Sequence, residues 1–512
     1  MQETPSAPNE ATAPPTAAAE PSVAAPPGGN QRALLRNTLY LTMAQAATVP
    51  LAVVTNALLG RYLGPESFGH IYLATTLCSF AVLALEWGQQ GALPALIARE
   101  RPNAASFLGT SLVWRGVMAV VISGALAVLC QLLGYNGAQK WAVALSFPIS
   151  VLLSSGTAFK DTFRGFERTD IPALAHVAQQ FLGLLVVVPV LLLGGRLRSV
   201  LIVNMAVAAL IAIALRVALR SLSLGQLRFD KGALKSLFAI GTPFVLFDLA
   251  MVLLTNVNAN FLAKLSPPEV MGWFSVSQRL IGLLIFPASA LIGALYPTLC
   301  RLQAEDRPEF ARVTRNALYG TSLLAVPAAV GCGIFAEIGV AVFDSVKYVG
   351  AIAHLRVMSG FVFLVYLSMP IGTCILAANR QRAWALVQGS CVVLSLCCSP
   401  FLIPYFQKLT GNGATGTCVT LVLSEAFVVG CGMALAPRGI FNRELFKSLF
   451  LAALSGAAMA GVAWLTKPIS LFLAVPAAVV TYGVVAWLTG ALQPATIEMV
   501  KGTLARRLGR AR

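Results

Sequence analysis

The sequence predicts an all-α polytopic membrane protein of about fourteen transmembrane helices, arranged as two pseudo-symmetric six-helix lobes plus two C-terminal helices. Three observations carry this. Of 512 residues, 57% are hydrophobic and only 11% charged, against roughly 45–50% and 25% in soluble chains. The apolar residues gather in runs of span length, separated by charged or Pro/Gly punctuation. A polar string that follows the first span returns after the seventh.

Residues 1–30 hold Pro5, Pro8, Pro14, Pro15, Pro21, Pro26 and Pro27 among Ala, Ser and Glu, with no basic residue and no apolar core. They read as a disordered cytoplasmic tail rather than a signal peptide. Arg32 and Arg36 then introduce the first span, 38–60. The second, 68–88, opens behind Pro65-Glu66 and carries Glu86. Arg99 and Arg101 precede span 107–133, which contains Arg115. Lys140 at its first turn and Lys160 just after it mark 139–159, Asp170 and Gly194-Gly195 bracket 172–194, and Arg198 and Arg220 bracket 199–219. Span 237–262 follows Lys231 and Lys235, holds Asp248, and closes on Thr255, Asn256, Asn258 and Asn260. Span 272–298 opens behind Pro267-Pro268-Glu269 and contains Arg279. Arg312 and Arg315 introduce 316–343, with Glu337 near its end, and 350–378 carries Arg356. Spans 383–404, 413–436 with Glu425, 446–466 and 469–492 complete the series. The resulting units are 31–235, 236–440 and 441–495, followed by a basic cytoplasmic tail, 496–512.

The basic residues check the count. With the edge residues Lys140, Arg216 and Lys447 assigned to the adjoining connections, those on the side of both termini hold 26 Lys and Arg, the opposite ones hold 8, and Arg115, Arg279 and Arg356 lie within spans. A miscounted span would invert this ledger downstream of the error, so the bias predicts both termini in the cytoplasm. The opposite-side loops are read as short, the longest about ten residues. The net charge of +17 is therefore a topology signal. It is dispersed between spans and forms no nucleic-acid patch.

At a constant offset of 203 residues, Arg61 matches Lys264, Pro65 matches Pro268, Glu66 matches Glu269 and Gly69 matches Gly272. In the same frame Pro94 meets Pro297 and Leu96 meets Leu299. An offset of six spans preserves orientation, which predicts parallel repeats with a site between them.

Ionisable groups inside spans are costly and face a cavity or a partner. Arg279 is the leading anion-binding candidate, with Asp248 its expected counter-charge, and Arg115 is a second cation that either binds an anion or snorkels to the surface. Arg356 lies close enough to the outer end of its span to snorkel. Glu86, Glu337 and Glu425 are read as the intramembrane acids, with Glu425 a candidate for proton or sodium coupling. Asn256, Asn258 and Asn260 suit helix contacts or a hydroxyl-rich ligand.

Ten cysteines lie within or beside apolar segments without zinc or redox spacing and read as buried hydrophobes. Gly411-Asn412-Gly413-Ala414-Thr415-Gly416 matches a dinucleotide fingerprint but follows a membrane helix, so it reads as a loop. His70, His176 and His354 are too few and too scattered for a histidine-centred site.

Gly60-Arg61-Tyr62-Leu63-Gly64-Pro65-Glu66-Ser67-Phe68-Gly69, with Phe163 to Arg168, Pro268 through Leu280 and Gly413 to Glu425, resembles bacterial polysaccharide flippases of the Wzx type. These fall within the multidrug/oligosaccharidyl-lipid/polysaccharide exporter superfamily. The resemblance covers about residues 31–495. It implies movement of an undecaprenyl-diphosphate-linked oligosaccharide to the periplasmic leaflet of the inner membrane by alternating access, for O-antigen, capsule or exopolysaccharide synthesis. It also implies V-shaped lobes around a cationic cavity, a tail groove by the last two spans, monomeric function, membrane lipid and a polysaccharide polymerase machinery as partners, and no cofactor beyond a coupling H+ or Na+. On this reading Arg279, Arg115, Arg356, Asn256, Asn258 and Asn260 bind substrate, while Asp248, Glu425 and Glu86 couple or balance charge. Span one carries no cation between Thr38 and Gly60, unlike that of related lipid II flippases. A drug/cation antiporter of the same superfamily and a polytopic polymerase or ligase remain the alternatives.

Overall fold

The computed structural model describes residues 31–437 and 439–491, so the proline-rich segment 1–30 and the basic tail 496–512 lie outside the described residues. The described residues are mainly helical, with no strand among them. Helix α1, Gln31–Glu86, is two helices joined at Gly64, whose φ of 77° and ψ of 170° leave the helical region. A straight run of 56 residues would measure about 84 Å, well over twice a ~30 Å hydrocarbon core. Glycine is the residue that adopts a positive φ without steric cost, and Pro65 prevents the helix from running through.

The short α2 (Gln89–Arg99) leads into α3 (Ala104–Leu132), α4 (Gly137–Gly165), α5 (Asp170–Leu192) and α6 (Leu197–Ala218). Then follow α7 (Lys231–Leu265), α8 (Pro268–Glu305), α9 (Arg307–Ile334), the short α10 (Ala336–Ala341), α11 (Gly350–Ala377), α12 (Gln381–Thr410) and α13 (Gly413–Leu435). Helices α14 (Arg443–Thr466) and α15 (Leu471–Leu488) end the described chain. Among the described residues eleven helices are long and apolar enough to cross a membrane, and Leu473–Leu488 is a shorter apolar helix. The chain is thus an all-α polytopic membrane protein. Connections are short and capped: Asn136 and Gln139 form a capping box at α4, and Asp230, Asp306 and Asn442 cap α7, α9 and α14.

Two expectations are corrected here. The ninth span ends at Ile334 rather than at 343, and residues 335–349 form an insert that carries α10, longer than the opposite-side loops were read to be. That insert is apolar because it packs, not because it spans: Val340, Phe343 and Tyr348 are buried in the core with Phe68. Glu337 consequently belongs to this insert and not to a membrane helix.

For reference, the face bearing the α2–α3, α4–α5 and α6–α7 connections is termed near, and the opposite face far. At the far end α1 packs against α8 through the repeated string. A Cβ on Gly69 would stand 2.9 Å from the Gly272 nitrogen and run into the Pro268 carbonyl. One on Gly272 would stand 2.8 Å from the Pro65 Cα and run into the Pro65 carbonyl. The matched residues of the repeat therefore touch reciprocally, each glycine against the other copy's proline. On the near side Gly88 and Gly241 bring the backbones of the α2 start and α7 together. The α14–α15 pair packs on α9, with the Tyr482 hydroxyl donating to the Leu323 carbonyl at 2.7 Å.

Candidate functional site

Helix α8 leaves its Gly272 contact with α1 and presents Arg279 two turns later. The guanidinium donates to Asn56 Oδ1 of α1 and its Cζ lies 4.8 Å from the centroid of the Phe68 ring. Its Nε is buried without a hydrogen-bond partner. Beside it lies a cavity of about 220 Å³ between α1 and α8, lined by Ala52, Asn56, Leu283, Phe286 and Phe343 among others. Among the described residues no carboxylate lines this cavity and none forms an ion pair with Arg279. A cation held in apolar surroundings without a counter-charge is unfavourable, so the cavity wall carries an uncompensated positive charge.

The far end of this cavity is shut. Phe68, Phe343 and Tyr348 form an aromatic cluster beneath Arg279, with ring centroids 6.2–6.3 Å apart. The Tyr348 hydroxyl donates to the Gly60 carbonyl at 2.8 Å, and Lys347 Nζ to the Arg61 carbonyl at 3.1 Å. The α10 insert is thus latched to the bend of α1. From Arg279 the cavity extends along Val49, Ala52 and Val53 towards the near half of α1. Its volume is below the ~300–1,000 Å³ of sites that enclose a drug-sized ligand, as expected of a closed arrangement.

Asp248 is not the partner of Arg279. It is half-buried on α7 and its electrostatic neighbour is Glu86, on the near side of the first repeat. The physical reason is depth. Counting 1.5 Å per residue, Asp248 lies about 26 Å from the far end of α7, and Arg279 about 17 Å from the far end of α8.

Arg115 neither snorkels nor lines the Arg279 cavity. At 1% exposure it is enclosed within the first repeat, 3.5 Å from Glu86. Its Nε donates to Gln89 Oε1 at 3.3 Å and its Nη1 to the Ser154 hydroxyl at 2.7 Å. Gln90 donates to the other Glu86 oxygen. Arg115 Nη2 and Asp161 Oδ2 are left without hydrogen-bond partners. Asp161 itself is fully buried and paired with Arg164 at 2.8 Å. Sequence reasoning missed it by ending the fourth span at 159, whereas α4 continues to Gly165.

The other candidates lie apart from both groups. Arg356 is exposed, 2.6 Å from Glu337, which also takes Lys467 at 2.7 Å. This triad ties α11, the insert and the α14–α15 turn together. Burial tends to raise the Glu337 carboxyl, but hydrogen bonds from Lys467 and Arg356 outweigh it and hold it below its ordinary value. Glu425 accepts from the Ser368 hydroxyl across α11 and α13. Asn258 accepts from Ser399 at 2.7 Å, which joins α7 to α12. Asn256 and Asn260 donate to carbonyls of their own helix at 3.0 and 2.9 Å, and Asn260 lines a cavity between α1, α3 and α7. Asn56 and Phe68, which position Arg279, were not singled out; the signal available was an amide deep in the first span, one of two there with Gln45. Gly411–Gly416 closes the α12–α13 turn, where Asn412 Oδ1 meets His354 Nε2 at 2.7 Å.

The model of a family described as "Polysaccharide biosynthesis protein" matches residues 34–303. The "Succinoglycan biosynthesis transport protein ExoT" of Rhizobium meliloti is 24% identical over 325 residues, spanning 61% of this chain and 62% of that protein, less than two thirds of its length. The "Putative O-antigen transporter" of Escherichia coli is 21% identical over 416 residues, 78% of this chain and 95% of that one. Among solved structures, the lipid II flippase MurJ in its inward closed conformation aligns with a TM-score of 0.70 at 13% identity, covering 89% of this chain and 98% of that one. An inward-facing multidrug resistance MATE family transporter aligns at 0.62 and 16%, covering 78% and 96%.

Proposed function

The chain belongs to the polysaccharide biosynthesis protein family, and from that premise we propose that it flips an undecaprenyl-diphosphate-linked oligosaccharide across the bacterial inner membrane. The observation that carries the substrate class is Arg279: a guanidinium without a carboxylate partner in an apolar cavity between the two repeats. Its net charge suits a diphosphate, which needs charge-assisted donors once removed from water. The polyprenyl tail need never leave lipid. In this reading both termini are cytoplasmic, units 31–235 and 236–440 rock about the α1–α8 contact, and the cavity opens alternately to either face. Arg115, with Glu86 and Asp248, and separately Glu425, serve charge balance or H+ or Na+ coupling away from the cavity. Arg356 and Asn258 hold helices together, Asn256 bonds within its own helix, and Asn260 faces a side groove.

A drug/cation antiporter would need a carboxylate where the cavity holds only Arg279 and Asn56 as polar lining. The test is leaflet-resolved exposure of undecaprenyl-diphosphate-linked oligosaccharide in proteoliposomes. Wild type should equilibrate the leaflets, and Arg279→Ala should fall to the rate of protein-free vesicles. An Arg279→Ala variant that flips normally would overturn the assignment.

A further inference from the structure

A further cavity, of about 1290 Å³, opens on the far face of the first repeat, apart from the Arg279 cavity. It is lined by Tyr62, Glu66 and His70 from the bend of α1, Trp141 from α4, Arg196 from the α5–α6 connection and Arg198 from the first turn of α6. Tyr62 and Trp141 are 50% and 48% exposed. The Arg198 guanidinium stacks 4.7 Å from the centre of the Trp141 ring. His70 is only 2% exposed, yet its Nε2 has no hydrogen-bond partner. Among the described residues neither Arg196 nor Arg198 forms an ion pair.

The second repeat shows what this place looks like when it is filled. At the same offset of 203, Trp273 stands where the first repeat has His70. Trp273 packs on Gly350 and donates to the Lys347 carbonyl at 2.9 Å, so its surroundings are occupied by the α10 insert. That insert runs from 335 to 349, whereas the corresponding α3–α4 connection is residues 133–136. The first repeat therefore keeps open a cleft that its partner closes with its own chain.

Exposed aromatic faces suit the apolar face of a sugar ring. Two unpaired arginines against one glutamate leave net positive charge, which suits a carboxylate. We infer that this cleft is a far-face binding site for an acidic saccharide. The identification of the saccharide as exported cargo, or as polymer already outside, rests on the flippase reading; the binding chemistry does not.

The full-length protein in nanodiscs is titrated calorimetrically with tetragalacturonate and with neutral maltotetraose. Tetragalacturonate should bind saturably and maltotetraose at least about tenfold more weakly. Arg196→Gln/Arg198→Gln, two exposed positions, should weaken tetragalacturonate by a similar factor, and His70→Trp, which copies the second repeat, should abolish binding. Arg279→Ala should bind as wild type does even with transport lost, which separates failure of the flippase reading from failure of this one. In proteoliposomes, slower delivery by the double variant of an acidic but not a neutral lipid-linked unit assigns the cleft to arriving cargo; unchanged delivery with lost binding assigns it to polymer outside. Absence of saturable binding, equal affinity for maltotetraose, equal competition by glycerol phosphate, or undiminished binding by the variants would each overturn the site.

Discussion

The reciprocal glycines at the far end of α1 and α8 make a quantitative demand on how the molecule opens. Gly272→Ala places a methyl group against the Pro65 backbone, with an overlap on the order of 1 Å, and Gly69→Ala does the same at Pro268. The obstructing atoms are main-chain atoms of a packed helix, so no rotamer change relieves the overlap and the helices must part. Overpacking of this kind costs about 1–3 kcal/mol. Charged only to the far-closed arrangement, it shifts the closed-to-open ratio by roughly five- to 150-fold. Hydrogen–deuterium exchange should then rise in peptides spanning 60–68 and 343–349, because the Tyr348–Gly60 and Lys347–Arg61 bonds bridge those segments. The two contacts are neighbours, so the double variant should depart from additivity. Exchange unchanged in both segments, in a variant that melts as wild type does, would show that the contact is no gate.

Three further outcomes follow from particular contacts. Asn56→Asp supplies Arg279 with a permanent counter-charge, so melting temperature should hold or rise while flipping falls at least about tenfold; retained flipping would mean that the free guanidinium is dispensable. Arg115→Ala leaves Glu86 buried and unpaired at a cost of about 3–5 kcal/mol, and Arg115→Met with Glu86→Leu should recover most of it in a thermal melt. If the double variant is as unstable as the single, the pair is not what Arg115 provides. Glu337 has a lowered carboxyl pKa, so its tether to Lys467 and Arg356 contributes fully above the ordinary carboxylate value and is lost as pH falls through the lowered one. The melting difference between wild type and Glu337→Gln should therefore be largest near neutrality and vanish in acid; a difference that persists at low pH would refute the tether.

The repeat was legible because backbone proximity demands glycine and an abrupt bend favours glycine and proline, and both demands leave fixed letters. Pro65, Gly69, Pro268 and Gly272 are visible at one offset, and the structure shows why: each glycine receives the other copy's proline. The helices were legible for the same kind of reason, since an apolar run of given length has few alternatives in lipid. The α10 insert misled because burial against protein and burial in lipid select the same residues, so Val340 and Phe343 read as the end of a span. Side-chain partners were not legible. Asp248 is close to Arg279 in sequence, but Asn56, 223 positions away, is its contact, and nothing in a single chain announces a pairing between helices.

Two arginines that composition alone treats alike differ in what offsets their charge. Both are intramembrane and both cost free energy to bury. Arg115 has that cost offset internally, by Glu86, Gln89 and Ser154, so an arriving anion would have to displace a partner already in place. Arg279 has only a neutral amide and an aromatic ring. An anion entering its cavity gains nearly the whole interaction and displaces no carboxylate. On the proposed function the cargo must also be let go, and Asn56 would allow that: it satisfies one donor of the empty site without neutralising the charge, so the unloaded state would be tolerable and the loaded state no trap. A lysine at 279 would keep the charge but lose the planar fork that can hold Asn56 and a phosphate oxygen together. Arg279→Lys should therefore retain binding of the lipid-linked diphosphate more than it retains turnover, and equal loss of both would count against this division of labour.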